Sequence, residues 1–457
     1  MNTKVKITFC GGAGSVTGAN FLLEIADKKI LVDCGLNQSS KVADDINWLP
    51  FTFDPKTIDI LFITHAHIDH IGRIPKLVAE GFNGKIYSTP PTKALASPML
   101  ADTAGILSKN DRDGKYNLEE IYSEAHVSKS LSLWQDFEYH QRQQITDNIY
   151  FSFYNAGHIL GSAMILFEVG GKRILFTGDL GNSPSPLLPD TEIVENVDYV
   201  IMESVYGDRN HESRNERRKK LEATIEDNFK KGGALVIPTF SLERSQELLF
   251  ELNNLVEEKR IPVMPVFLDS PLAIRLTEVF KRYQSYFNET AQKIMTTDPH
   301  LFDFPGLKFT MDSEESKKIQ AAPNPKIIIA GSGMSSGGRV VHHERHYLPD
   351  PKNTLLLTGY QTVGSLGRLI QEGAKTVKVT GEYVKVKANV VTIYGYSGHK
   401  DSDGLLGFVQ QMQNSVKKIF VVMGESKSSM FLVQKIRDNL GLQAYAPEQD
   451  DVVELDC

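Results

Sequence analysis

Short apolar runs separated by polar turns recur along the chain, and most are too brief for helices. Residues 5–9, 21–25 and 30–32 read as strands, the last two joined into a hairpin by the turn Ala26-Asp27-Lys28-Lys29. Runs at 58–63, 85–88, 150–153, 174–176 and 199–202 repeat the pattern. Between them, residues 92–143 are polar and predict mostly helix, with Trp134 and Phe137 in the core. Past residue 206 the character changes. Continuous apolar runs at 235–237, 263–268, 327–330 and 355–357 alternate with helical spacing, which predicts a parallel, doubly wound α/β domain. Residues 384–393 alternate again, then a helix at 404–412, a strand at 419–422 and a helix at 430–440 close the chain.

The run at 58–63 leads into Thr64-His65-Ala66-His67-Ile68-Asp69-His70-Ile71-Gly72. Side chains alternate in an extended segment, so His65 and His67 fall on one side and can share one metal ion. Asp69 and His70 come where the spacing turns helical and are placed to face a second ion. Three His and one Asp within six residues at a strand end form a specific signal.

Other polar residues stand at strand ends. Asp33 in Asp33-Cys34-Gly35 can support a metal ligand from behind. His158 follows Gly157, and Asp179 lies between Gly178 and Leu180-Gly181. Each alone reads as a buried histidine or a turn aspartate; beside a cluster that needs one more His and a bridging carboxylate, both become candidate ligands. The Gly11 to Gly18 stretch suggests a dinucleotide fingerprint, but strands follow it where that fingerprint needs a helix. In the second half, loops at 239–244, 269–271, 331–339 and 359–361 could bind a ligand. The 331–339 loop can cradle a phosphate with backbone N–H groups, and lacks the Lys-Ser/Thr ending of a P-loop.

Composition narrows the class. A length of 457 residues predicts two or three domains, with 41% hydrophobic and 23% charged residues as in ordinary globular proteins. The net charge of −7 does not exclude a polyanionic partner, because carboxylates can be occupied by metal ions while basic residues cluster locally. Three widely separated cysteines give no disulfide framework, and no signal-like or membrane-spanning run is present, so a cytoplasmic protein without a membrane partner is expected.

Taken together, the order of motifs from Asp33 through the His65 cluster, His158, Asp179 and Glu203 to Ser397-Gly398-His399 resembles the β-CASP branch of the metallo-β-lactamase superfamily, which contains RNA-processing nucleases. The stand-alone prokaryotic forms are the nearest in pattern, with runs similar to Leu268-Asp269-Ser270-Pro271 and Ser335 to Arg339. The resemblance implies an α/β fold: a metallo-β-lactamase αββα sandwich from residues 1–205 and 377–457, interrupted by a parallel α/β β-CASP domain at 206–376 that closes over the active site.

It also implies a zinc-dependent ribonuclease that hydrolyses single-stranded RNA with a metal-activated hydroxide, as an endonuclease and in some members a 5′-to-3′ exonuclease. His65, His67 and His158 would bind one zinc, Asp69 and His70 a second, and Asp179 would bridge them. Asp69, Glu203 and His399 form the expected catalytic group, with His399 protonating the leaving oxygen and Glu203 keeping it charged. Arg244, Ser332, Gly333, Ser335, Ser336, Gly337, Arg339 and Arg368 are the expected substrate contacts. One position departs from the pattern: Met423 stands before Gly424-Glu425 where the family carries a His ligand, which predicts a weaker second zinc site. A non-catalytic RNA-binding subunit and a small-molecule metallohydrolase are the competing classes, and a homodimer is left open.

Overall fold

The computed structural model of the chain describes residues 4–38, 45–110, 121–212, 214–359, 361–362 and 364–457. The chain divides into two compact units, one made of residues up to 210 with 399–457, the other of 211–398. In chain order the first unit contributes β1 Lys4–Gly11, β2 Asn20–Ile25, β3 Lys28–Val32, β4 Ile60–Phe62, β5 Lys85–Ser88, β6 Trp134–Asp136, β7 Gln143–Thr146, β8 Ile149–Asn155, β9 Ala163–Val169, β10 Lys172–Phe176 and β11 Tyr199–Met202. The second holds β12 Ala234–Pro238, β13 Val266–Asp269, β14 Leu307–Phe309, β15 Lys326–Ala330, β16 Thr354–Thr358, β17 Thr376–Val379, β18 Glu382–Lys385 and β19 Asn389–Ile393. The chain then returns to the first unit with β20 Lys418–Val421, β21 Gln443–Tyr445 and β22 Val452–Asp456.

The first unit is a sandwich of two mixed seven-stranded sheets, ordered β22-β1-β2-β3-β4-β5-β6 and β21-β20-β11-β10-β9-β8-β7. Period-two burial builds the layer between them: Val5, Ile7 and Phe9 of β1 meet Phe151, Phe153 and Phe167 of β8 and β9 in one apolar cluster. Phe62 is its hinge point. The ring centroids of Phe151 and Phe167 lie 4.8 and 5.0 Å away, both edge-on, so the strand that carries the histidine loop is pinned to the opposite sheet. The outer face of the second sheet packs Leu175, Val200 and Met202 against Leu405 and Val409 of helix Ser402–Gln410 and Leu432 and Ile436 of helix Ser426–Leu440. Helices Pro90–Asn110 and Glu124–Ser132 pack on each other beside the first sheet.

The second unit is a six-stranded sheet ordered β14-β13-β15-β12-β16-β19, and every pairing in it is parallel. Its central strands are buried along their whole length, as Lys326–Ala330 and Ala234–Pro238 show, which is why they read as unbroken apolar runs.

The structure corrects several expectations. Of the segment 92–143, residues 111–120 lie outside the described residues, and its end is strand: Trp134 pairs with Ile86 and donates from Nε1 to Ser88 Oγ at 2.8 Å. Strand β9 is an addition to the sequence reading, because a nearly continuous apolar run, broken only by Glu168, carries no alternation to separate it from buried helix. The run at 263–268 becomes strand only from Val266, with Val263 61% exposed. The alternation at 384–393 covers two strands of different sheets, β18 in a hairpin with β17 and β19 beside β16. β19 extends the parallel sheet, so the second compact unit runs to residue 398.

Candidate metal centre

Each side chain of the centre follows the end of a strand in the first unit. Asp33 follows β3, the Thr64–His70 loop follows β4, His158 follows β8, Asp179 follows β10 and Glu203 follows β11. The sheet pairings therefore bring together residues up to 170 positions apart. After β4 the chain bends at Thr64 and reaches His67, whose extended backbone caps the short helix Ile68–Ile71, and Asp69 lies in that helix's first turn. The Gly157 and Gly181 loops touch so closely that a Cβ on Gly181 would sit 1.8 Å from the Gly157 carbonyl oxygen. Only glycine lets the His158 and Asp179 loops approach to this degree.

Four potential ligand atoms converge: His65 Nε2, His67 Nδ1, His158 Nε2 and Asp179 Oδ2. All residues of this set offer atoms within 4.8 Å of one another. His67 Nδ1 is 3.0 Å from His65 Nε2 and 3.1 Å from His158 Nε2; Asp179 Oδ2 is 3.4 and 3.5 Å from the same two nitrogens. A tetrahedral ion with ligands at about 2.0–2.1 Å holds them about 3.3–3.4 Å apart, so this donor set fits a zinc-sized cation. Burial lowers the proton affinity of all three imidazoles, strongly at His67 and His158, which leaves their lone pairs free for a cation.

His70 turns to the other oxygen of the same carboxylate. Its Nε2 lies 3.4 Å from Asp179 Oδ1 and 4.0 Å from Asp69 Oδ2. Among the described residues, His70 Nε2 and Asp179 Oδ1 are both buried without a hydrogen-bond partner, which a second cation would relieve. The far side of the ring is fixed: His70 Nδ1 is 2.7 Å from Asp33 Oδ2, while Asp33 accepts from Thr64 N at 2.9 Å and Thr64 Oγ1 at 2.8 Å. Burial opposes a charge on this ring, yet the facing Asp179 and Asp33 carboxylates outweigh it and hold its pKa well above the ordinary value, so a cation at Nε2 would replace a proton there. Thr64 is the residue that sequence reasoning missed; its signal was its place between the strand and the first histidine.

His399 forms a second constellation with Glu203 and Asp179. Its Nδ1 is 3.1 Å from Glu203 Oε1 and 3.9 Å from Asp179 Oδ2, and its backbone bridges to Gly181. Glu203 also accepts from the backbone N–H of Leu180 at 2.6 Å, so one carboxylate orients both His399 and the Asp179 loop. Burial alone would lower the His399 pKa, yet the facing Glu203 and Asp179 charges outweigh it and raise it to about 9.

Met423 does not join the cluster. Its backbone takes φ of 48°, its N–H donates to Gly12 O at 2.6 Å, and its buried side chain belongs to the layer between the sheets. The sulfur lies 2.6 Å from where a Cβ on residue 12 would stand. The thioether thus fills core space against a glycine.

The expected substrate contacts lie in the second unit. Ser332 to Arg339 form one loop after β15. Within it, Ser332 Oγ accepts from Ser336 N at 3.1 Å, and buried Ser335, at φ of 57°, bonds to Glu344, whose carboxyl burial pushes up to about 8. Gln361 Nε2 holds the Gly333 carbonyl at 3.1 Å, and Gly337 has open space around it. The arginines are more constrained than expected. Arg339 is clamped to Asp269 Oδ1 at 2.7 Å and to the carbonyls of Thr310 and Met311, so it braces the loop instead of reaching outward. Arg244 pairs with Glu247 at 2.5 Å in largely buried surroundings, and Arg368 Nε with Glu372 at 2.7 Å.

Comparison with known proteins matches this architecture. Residues 22–205 match the metallo-beta-lactamase superfamily domain, 245–370 the Beta-Casp domain and 383–447 the domain described as Zn-dependent metallo-hydrolase RNA specificity domain. A protein of Thermus thermophilus named Ribonuclease TTHA0252 is 35% identical over 94% of this chain and 95% of its own length. The chain belongs to the β-CASP branch of the metallo-β-lactamase superfamily. Other β-CASP relatives include a Methanocaldococcus jannaschii protein named RNase J-like, 32% identical over 98% of this chain and 99% of that protein, and a Methanosarcina mazei transcription termination factor FttA, 32% identical over 99% of this chain and 72% of that protein. A crystal structure of an Enterococcus faecalis protein of unknown function shares the fold, with a TM-score of 0.57 at 13% identity over 99% of this chain and all of that one.

Glu203→Gln should separate the charge of Glu203 from its shape. His399 gains its raised pKa mainly from that carboxylate, so it is protonated below the raised value and loses its proton as pH rises through it. The amide variant should move the alkaline limb of the rate profile to lower pH. An alkaline limb that stays in place would show that Glu203 does not hold His399 charged.

Proposed function

We propose that this β-CASP protein is a zinc-dependent ribonuclease that hydrolyses phosphodiester bonds of single-stranded RNA. The observation that carries this reading is one carboxylate, Asp179, shared among His65, His158, His70 and His399: two oxygens toward ligand nitrogens, and a proton donor at the edge. When bound, zinc ions at such a site lower the pKa of water towards neutrality and neutralise phosphoryl charge.

The chain's own residues do the rest. Asp33 and Thr64 orient the His70 ring so that Nε2 faces Asp179. His399 Nδ1 is engaged by Glu203, so its Nε2 carries the proton that can pass to the leaving oxygen. A small-ester hydrolase has no use for such a dedicated donor, and a non-catalytic subunit has no use for the intact His65 to His70 run. The substrate class is inferred from the relatives named as ribonucleases, matched nearly end to end. The relatives named as termination factors also fit an RNA-acting site, and the chain spans 72% of the first of them. In the second unit, the Ser332 and Ser336 hydroxyls and the open backbone at Gly337 are the groups best placed to take phosphate, ahead of the clamped Arg339.

The test is an end-labelled single-stranded RNA incubated with the protein, with and without added Zn²⁺ and with a chelator. Asp179→Ala, or His65→Ala with His67→Ala, should cost several orders of magnitude in cleavage while RNA binding persists. Near-normal turnover in either variant would refute the nuclease reading.

Met423 sets the metal content. Without a His there, Asp69, His70 and Asp179 remain for the second ion, which is workable but weak. The protein as purified should carry between one and two zinc ions by elemental analysis. Two ions that survive mild chelation in the unmodified protein would contradict this.

A further inference from the structure

Phe240 lies in the loop after β12, at the carboxyl edge of the parallel sheet where α/β domains bind ligands, and it is 48% exposed. Single exposed aromatics are common and need no explanation. This one is held. Its ring rests on the backbone of Gly333: a Cβ there would fall 2.9 Å from Cδ2 and 3.1 Å from Cε2, so any side chain at 333 would displace the ring. Its own carbonyl accepts from Ser245 Oγ at 2.7 Å and Thr239 Oγ1 at 3.3 Å, which fixes the loop beneath it.

Hydroxyls gather on the neighbouring loops. Ser241 Oγ is 3.2 Å from Ser270 Oγ, and both lie within 4 Å of a Cβ position on Gly331, so the loops after β12, β13 and β15 converge here. An apolar disc supported by the Gly333 backbone, beside a loop that carries serine hydroxyls, suits a planar base attached to a phosphate. It does not suit a peptide, which would need a groove with apolar walls. We propose that Phe240 is a stacking platform for one base of the RNA strand, with the 331–338 loop taking the adjoining phosphate. The proposal rests on the reading of the protein as a ribonuclease acting on single strands.

Stacking depends on the base and not on the backbone, and each stacked base is worth about 5- to 100-fold in affinity. The test compares kcat/KM of the metal-loaded enzyme on a short adenosine homopolymer and on an abasic ribose-phosphate strand of equal length. Phe240→Ala should lose about 5- to 100-fold on the homopolymer and almost nothing on the abasic strand. Phe240→Trp should keep or improve the homopolymer rate, with melting temperature and zinc content unchanged in both variants. Equal losses on both strands, or no loss on either, would overturn the platform while leaving the nuclease reading intact. Failure of the unmodified enzyme to cut either strand would overturn both.

Discussion

Four electron-rich atoms, three of them on buried side chains, packed within about one ion's reach of one another are unstable company without a cation. His65 Nε2, His67 Nδ1, His158 Nε2 and Asp179 Oδ2 are such a set: all lie within 4.8 Å of one another, and four of the spacings, from 3.0 to 3.5 Å, suit a tetrahedral ion. A single proton on one imidazole can satisfy only one neighbour well, whereas a cation takes every lone pair at once. The surrounding structure can be understood as what is needed to hold these atoms in place against their cost of burial.

The sandwich meets that need by layering. Phe62 fixes β4 against the opposite sheet two residues before Thr64, so the histidine loop starts from an immobile point. The loops after β8 and β10 then close on it through Gly157 and Gly181. Truncating a fully buried aromatic such as Phe62 typically costs about 3–5 kcal/mol, a large part of a domain's stability. The ligand geometry and the stability of the fold thus draw on the same packed layer.

Much of this was legible in the residues because its causes are local. Strand ends followed by His or Asp could be read one at a time, and the resemblance in motif order tied them together. What stayed hidden depends on partners far away in the chain. Thr64 gains meaning only when Asp33 arrives from β3, and β9, with no alternation, is a strand only because β8 and β10 flank it. Arg339 reads as a free cation until Asp269 and two carbonyls are seen to hold it. Met423 reads as a lost ligand; the fold adds that its sulfur lies in core space against Gly12.

The central claim is a division of labour between a cation-binding cage and a separate proton donor, joined through Asp179. Its most direct test is the rate of His399→Ala on two single-stranded RNAs, one ordinary and one with a bridging sulfur at the leaving position, which departs without protonation. The account predicts a loss of about 10²- to 10⁴-fold on the ordinary strand and a far smaller loss on the sulfur-bridged one. Equal losses on both would mean that His399 serves as a ligand or a structural prop, and the division would fall.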